Sequence, residues 1–140
     1  MKISNFIICD DIRYEIGNKM SLMGLYDSSI EFNVPSSHNA WPQALKLGFF
    51  IKISKDSTEE TPVSFIIKMV SKDAVVELGK GKLGIPKDGV QTFTLALVNN
   101  HVQFTQPGNV NFVFEFYNEK NELIEKLNPE TALRIKVHEK

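Results

Sequence analysis

Apolar and polar positions alternate with a period of two along most of the chain. The clearest runs are Leu45, Leu47, Phe49, Ile51, Ile53, then Val63, Phe65, Ile67, Met69, then Val110, Phe112, Phe114, Phe116. Successive side chains of a strand point to opposite faces, so each run predicts a half-buried β-strand. Shorter runs of the same kind are Ile30, Phe32, Val34, then Phe93, Leu95, Leu97, and finally Leu133, Ile135, Val137. No window of helical length shows a comparable period of 3.6, so no helix longer than about two turns is expected. Mid-strand positions on apolar rows, Phe49, Ile51, Phe65, Ile67, Phe93, Leu95, Phe112 and Phe114, are expected to share one core.

Turn signals punctuate these runs. Gly17 with Asn18, and Asn99 with Asn100, are two-residue hairpin candidates, because Gly and Asn tolerate the positive φ of primed turns. The first turn would set Ile12 opposite Met23 and Asp11 opposite Gly24; the second would pair Leu97 with Val102 and Leu95 with Phe104. Residues 55–61, the triplet Lys87, Asp88, Gly89, and residues 118–121 read as further loops. About nine or ten strands with short connections predict an all-β antiparallel sandwich of two sheets, with a closed β-barrel as the alternative. The whole chain, residues 1–140, reads as one domain.

Composition narrows the function classes. Sixteen basic and 17 acidic residues give a net charge of −1, which supplies no electrostatic attraction for nucleic acid or an anionic membrane. No apolar run approaches the roughly 18 residues of a membrane span. The single cysteine, Cys9, excludes an internal disulfide. The start, MKISNFIICDDIRYE, has too short an apolar run for a signal peptide, so a cytoplasmic location is expected.

Candidate chemistry is sparse. GKGKLG at residues 79–84 matches G-x-G-x-x-G, but the Ile85 and Pro86 that follow cannot open the helix a dinucleotide site needs, so a glycine-rich strand or bulge is expected. His38, His101 and His138 are isolated, with neither helical spacing nor cysteine partners, so no metal and no cofactor is expected. Cys9, beside two aspartates that raise its pKa, reads as a quiet thiol. Trp41, in the longest non-periodic stretch with an aromatic, either closes one end of the sandwich or contacts a ligand.

The densest charge lies in CDDIRYEIGNKMSLMGLYD, residues 9–27. Alternation puts Asp11, Arg13 and Glu15 on one face as a charge ladder, while Asp10 falls in the apolar row between Ile8 and Ile12. An unpaired carboxylate there is costly, so either a bulge turns Asp10 outward or, the favoured reading, it is buried and hydrogen-bonded by backbone amides or Arg13, with a structural role. The candidate binding positions are Asp11, Arg13, Glu15, Lys19 and Trp41. The same stretch resembles the N-terminal signature of a family of small bacterial proteins of unknown function: Cys-Asp-Asp-Ile-Arg, then Gly-Asn-Lys, then Ser-Leu-x-Gly-x-Tyr. The resemblance implies a bacterial or phage protein and brings no activity or catalytic residue.

No catalytic constellation emerges, so the expected function is a non-enzymatic protein–protein interaction or assembly module, with a homodimer as one expected form. The alternatives are a small-ligand-binding β-sandwich using Trp41, and a carboxylate-based metal-dependent enzyme using Asp10, Asp11 and Glu15.

Overall fold

The computed structural model describes residues 1–35, 41–85, 92–129 and 132–139. The alternating runs become strands: β1 (Lys2–Glu15), β2 (Lys19–Tyr26), β3 (Ser29–Val34), β4 (Gln43–Ser54), β5 (Ser64–Val70), β6 (Val75–Lys82), β7 (Thr92–Phe104), β8 (Gly108–Tyr117), β9 (Leu123–Leu127) and β10 (Leu133–Glu139). No helix occurs among the described residues. One sheet has the order β2-β1-β4-β7; the other runs β3-β10-β8-β5-β6, with β9 also paired to β8. Pairing is antiparallel except between β3 and β10, which run parallel. The two-sheet sandwich is therefore the architecture.

The inner faces meet in a phenylalanine-rich core. Phe6 of β1 stacks on Phe49 of β4 at 6.2 Å between ring centroids, and meets Phe112 and Phe114 of β8 at 5.3 and 5.5 Å. Offset and edge-on contacts of this kind suit the ring quadrupole and fill the space between sheets. Phe49, Ile51, Phe65, Ile67, Leu95, Phe112 and Phe114 all belong to this core, with Phe93 packed half-buried against it.

Two expected turns take a different form. Residue 99 does not turn the chain: β7 runs on through it, pairing with β4 from Thr92 to Phe104. Leu47 pairs with Asn100 but Phe49 with Leu97, so Val98 and Asn99 together stand opposite Gly48 as a β-bulge. Asn99 has the positive φ expected of it, 56°, and Asn100 Nδ2 donates to the carbonyls of Leu47 (3.1 Å) and Leu97 (2.9 Å). A bulge and a two-residue turn both shift the alternation by one, which is why Leu95 and Leu97 sit on odd core positions and Val102 and Phe104 on even ones.

The first hairpin is shifted too. Glu15 pairs with Lys19, leaving a three-residue loop of Ile16, Gly17 and Asn18. Ile12 therefore faces Leu22, and Asp11 faces Met23, one residue away from the two-residue register. Gly17 (φ 90°) and Asn18 (φ 57°) both take the positive φ that suits them. The 79–84 glycine stretch is, as expected, strand and bulge: Ile67 pairs with Gly79 but Lys68 with Glu77, and Gly81 leaves room for the Phe65 ring. The expected turn at 87–89 and His38 lie outside the described residues.

Candidate interaction surface

β1 pairs with β4 only as far as Cys9 opposite Gly48, while its pairing with β2 continues to Glu15 and Lys19. Beyond Cys9, β1 and β2 thus form a two-stranded ribbon whose strands, among the described residues, pair only with each other. Its root is tightly built. Cys9 is wholly buried, with the carbonyls of Asp11 (3.4 Å) and Gly48 (3.7 Å) both in reach of its one S–H donor. Gly48 packs closely there: a Cβ would lie 3.1 Å from the Ile12 side chain and 3.2 Å from the Cys9 sulfur, so a larger residue would have to push both aside by a few tenths of an ångström. Burial pushes the thiol pKa up, with smaller contributions from Asp10 and Asp11. The quiet-thiol expectation stands, with desolvation rather than the aspartates as its main cause.

Asp10 is exposed, contrary to the favoured expectation of burial. It stands opposite Gly24, whose φ of 68° and missing side chain make room for the carboxylate; a Cβ at Gly24 would lie 2.4 Å from Asp10 Oδ2. The Tyr26 hydroxyl donates to Asp10 Oδ1 at 2.5 Å. Burial, then this hydrogen bond, push the Tyr26 phenol up to about 12. Asp10 thus ties β1 to β2 from the solvent side, with no shift of register at this point. The backbone amides and Arg13 expected to hold it are replaced by a tyrosine that alternation alone did not single out.

The other named residues divide. Asp11 accepts from the Ile12 amide at 2.9 Å and pairs with Arg13 at 3.4 Å, both side chains well exposed. A pair so exposed contributes little to stability. Glu15 and Lys19 are opposite one another at the loop end of the ribbon. Trp41 is elsewhere: its ring packs edge-on against Phe32 at 6.2 Å, partly buried on the core, as a residue closing the sandwich would. Among the described residues no group of three or more His, Cys, Asp or Glu is placed to hold a metal. His101 is exposed on β7, and His138 sits 3.5 Å from Glu31.

What the ribbon presents instead is apolar. Ile16 at the loop is 95% exposed, Tyr14 70%, Leu25 61% and Met23 43%. Single exposed apolar residues are ordinary, but here four fall on one short ribbon, with Tyr14 on one face and Met23, opposite Asp11, on the other, so the ribbon is apolar on both faces. Charge dominated the reading of this stretch and hid the apolar residues between the charges.

A second cluster was not foreseen. On the opposite sheet Lys68 of β5 pairs with Glu115 of β8 at 2.8 Å, and the Tyr117 hydroxyl donates to Glu115 at 3.0 Å. Glu115 is only 7% exposed. Lys68 holds its carboxyl below the usual range, and Glu115 in turn holds the lysine up. The partners are far apart in sequence, and only the sheet register joins them; the apolar Ile66 and Val113 between outward polar residues were the available signal. A cleft of about 470 Å³ opens beside Glu60, Asn118 and Glu122, and none of the candidate binding residues Asp11, Arg13, Glu15, Lys19 and Trp41 lines it.

A family model described as a family of unknown function (DUF6941) matches residues 4–125. No curated protein matches the chain. Among solved structures, a Niemann-Pick type C2 protein from Japanese carpenter ant is similar at 19% identity, covering 96% of this chain and 92% of that one, with a TM-score of 0.40.

Proposed function

The chain belongs to this family of unknown function, and we propose that it is a non-enzymatic protein–protein interaction module whose contact surface is the β1–β2 ribbon. The observation that carries the reading is the exposure of four apolar side chains, Tyr14, Ile16, Met23 and Leu25, on the two faces and loop of a ribbon whose strands, among the described residues, pair only with each other. Exposed aromatic and aliphatic anchors with a rim of charge, here Asp11, Arg13, Glu15 and Lys19, match the anatomy of contact surfaces. The one thiol is buried, which suits work in a reducing cytoplasm.

The test is a double variant, Tyr14→Ser with Ile16→Asp. Both residues are exposed, so the free energy of unfolding should stay within about 0.5 kcal/mol of wild type. Proteins that co-purify with the tagged wild-type chain from its native cell should be lost from the variant. Equal recovery by both, at equal folding, would show that the ribbon is not the contact surface.

A further inference from the structure

We propose that the free edge of β2 pairs with the same edge of a second copy of this chain, antiparallel about a two-fold axis at Met23. This rests on the interaction reading above and names its partner. Among the described residues β2 ends its sheet, so one side of its backbone carries N–H and C=O groups with no strand partner. Natural edge strands are blunted by charge, proline or bulges. The other edges described here show such devices. β6 carries Glu77, Lys80 and Lys82 and a bulge, β7 is bulged at Val98 and Asn99, and β3 carries Glu31 paired with His138. β2 reads KMSLMGLY, with one charge at its first residue and no proline.

The charges flanking this apolar edge are self-complementary. Lys19 opens β2 and Asp27 follows its last residue, both exposed and equally distant from Met23. Among the described residues neither has an ion-pair partner within the chain. An antiparallel pairing centred on Met23 sets Lys19 opposite Asp27 of the copy, and Asp27 opposite its Lys19. It also sets Met20 opposite Tyr26, Ser21 opposite Leu25, and Met23 opposite itself, so the exposed Met23 and Leu25 gain cross-strand neighbours. Gly24, where positive φ bends the strand, falls opposite Leu22, so the bend interrupts the ladder beside a residue with no side chain. The contact is isologous and closes at two copies, which distinguishes it from open-ended edge aggregation.

The experiment is sedimentation of the full chain over a wide concentration series, with the unfolding midpoint of each variant measured alongside. Wild type should reach a dimer. Lys19→Asp alone, or Asp27→Lys alone, turns two attractive pairs into two repulsive ones and should weaken self-association by about tenfold. The double variant Lys19→Asp with Asp27→Lys should recover it, and the two single variants mixed in equal amounts should associate with each other. A wild type that stays monomeric throughout, or a dimer indifferent to both single reversals, overturns the proposal. Those outcomes leave the ribbon reading to the co-purification experiment, which fails or succeeds independently.

Discussion

Phe112→Ala is the sharpest probe of the packing that holds the two sheets together. The residue is 1% exposed, and its ring lies tilted against Phe6 at 5.3 Å and Phe49 at 5.6 Å, rings contributed by the opposite sheet. Truncating a buried phenylalanine costs about 3–5 kcal/mol in lost transfer energy and residual cavity. Each aromatic pair removed adds about 0.5–1.5 kcal/mol beyond its area, and two are lost here, so the upper part of that range is expected. With total stability typically about 5–15 kcal/mol, the variant should remain folded in water but with little margin. Urea titration followed by Trp41 fluorescence measures it, because that indole packs against Phe32 of the same core. An unchanged m-value with a loss of about 4 kcal/mol is the expected result. A loss under about 1 kcal/mol would show that the β8 row does not fill the space between the sheets.

Three further outcomes follow from local geometry. Asp10→Asn removes the anion beside the Tyr26 hydroxyl, so spectrophotometric titration should show this phenol falling part of the way from about 12 toward its ordinary value, since burial persists; an unmoved titration would refute the Asp10 contact. Glu115 has a folded pKa below its unfolded one, so its contribution is present above the unfolded value and is lost as pH falls through the folded value. Glu115→Gln should therefore flatten the acid limb of the stability profile, and an identical slope in the variant counts against the Lys68 pair. At Asn99, with φ of 56°, alanine should cost about 1–2 kcal/mol while glycine stays near neutral in thermal unfolding; equal effects would argue against the left-handed conformation.

Alternation made the strands and the core legible, because a half-buried strand cannot hide its period. It could not separate a bulge from a turn at Asn99, since both shift the phase and both favour asparagine at positive φ. The loop after Glu15 is one residue longer than Gly17 and Asn18 alone imply, for a related reason: they mark where the backbone turns, not which residues still pair. Asp10 was assigned to the core by strict period two, yet the positive φ of Gly24 across the ribbon gives its carboxylate an open berth. The Lys68–Glu115 pair depends on the register between β5 and β8, a long-range quantity that no local pattern contains. The exposed apolar residues Tyr14, Ile16, Met23 and Leu25 are plain in the sequence, but which apolar side chains remain uncovered depends on the packing of the two sheets, which no local pattern contains.

The bulge in β7 also sets where this chain can change length. Everywhere else along the strand, adding or removing one residue reverses the faces of all the side chains between that point and the strand's end. At Val98 and Asn99 the extra residue is already outside the ladder. Deleting it would leave Leu97 and Val102 both inward on a strictly alternating strand, at the expense of the local twist that the bulge adds. The site is a length reserve: a relative shorter by one residue there keeps Val102 and Phe104 in the core, whereas the same deletion at Gln103 would turn Phe104 out to solvent.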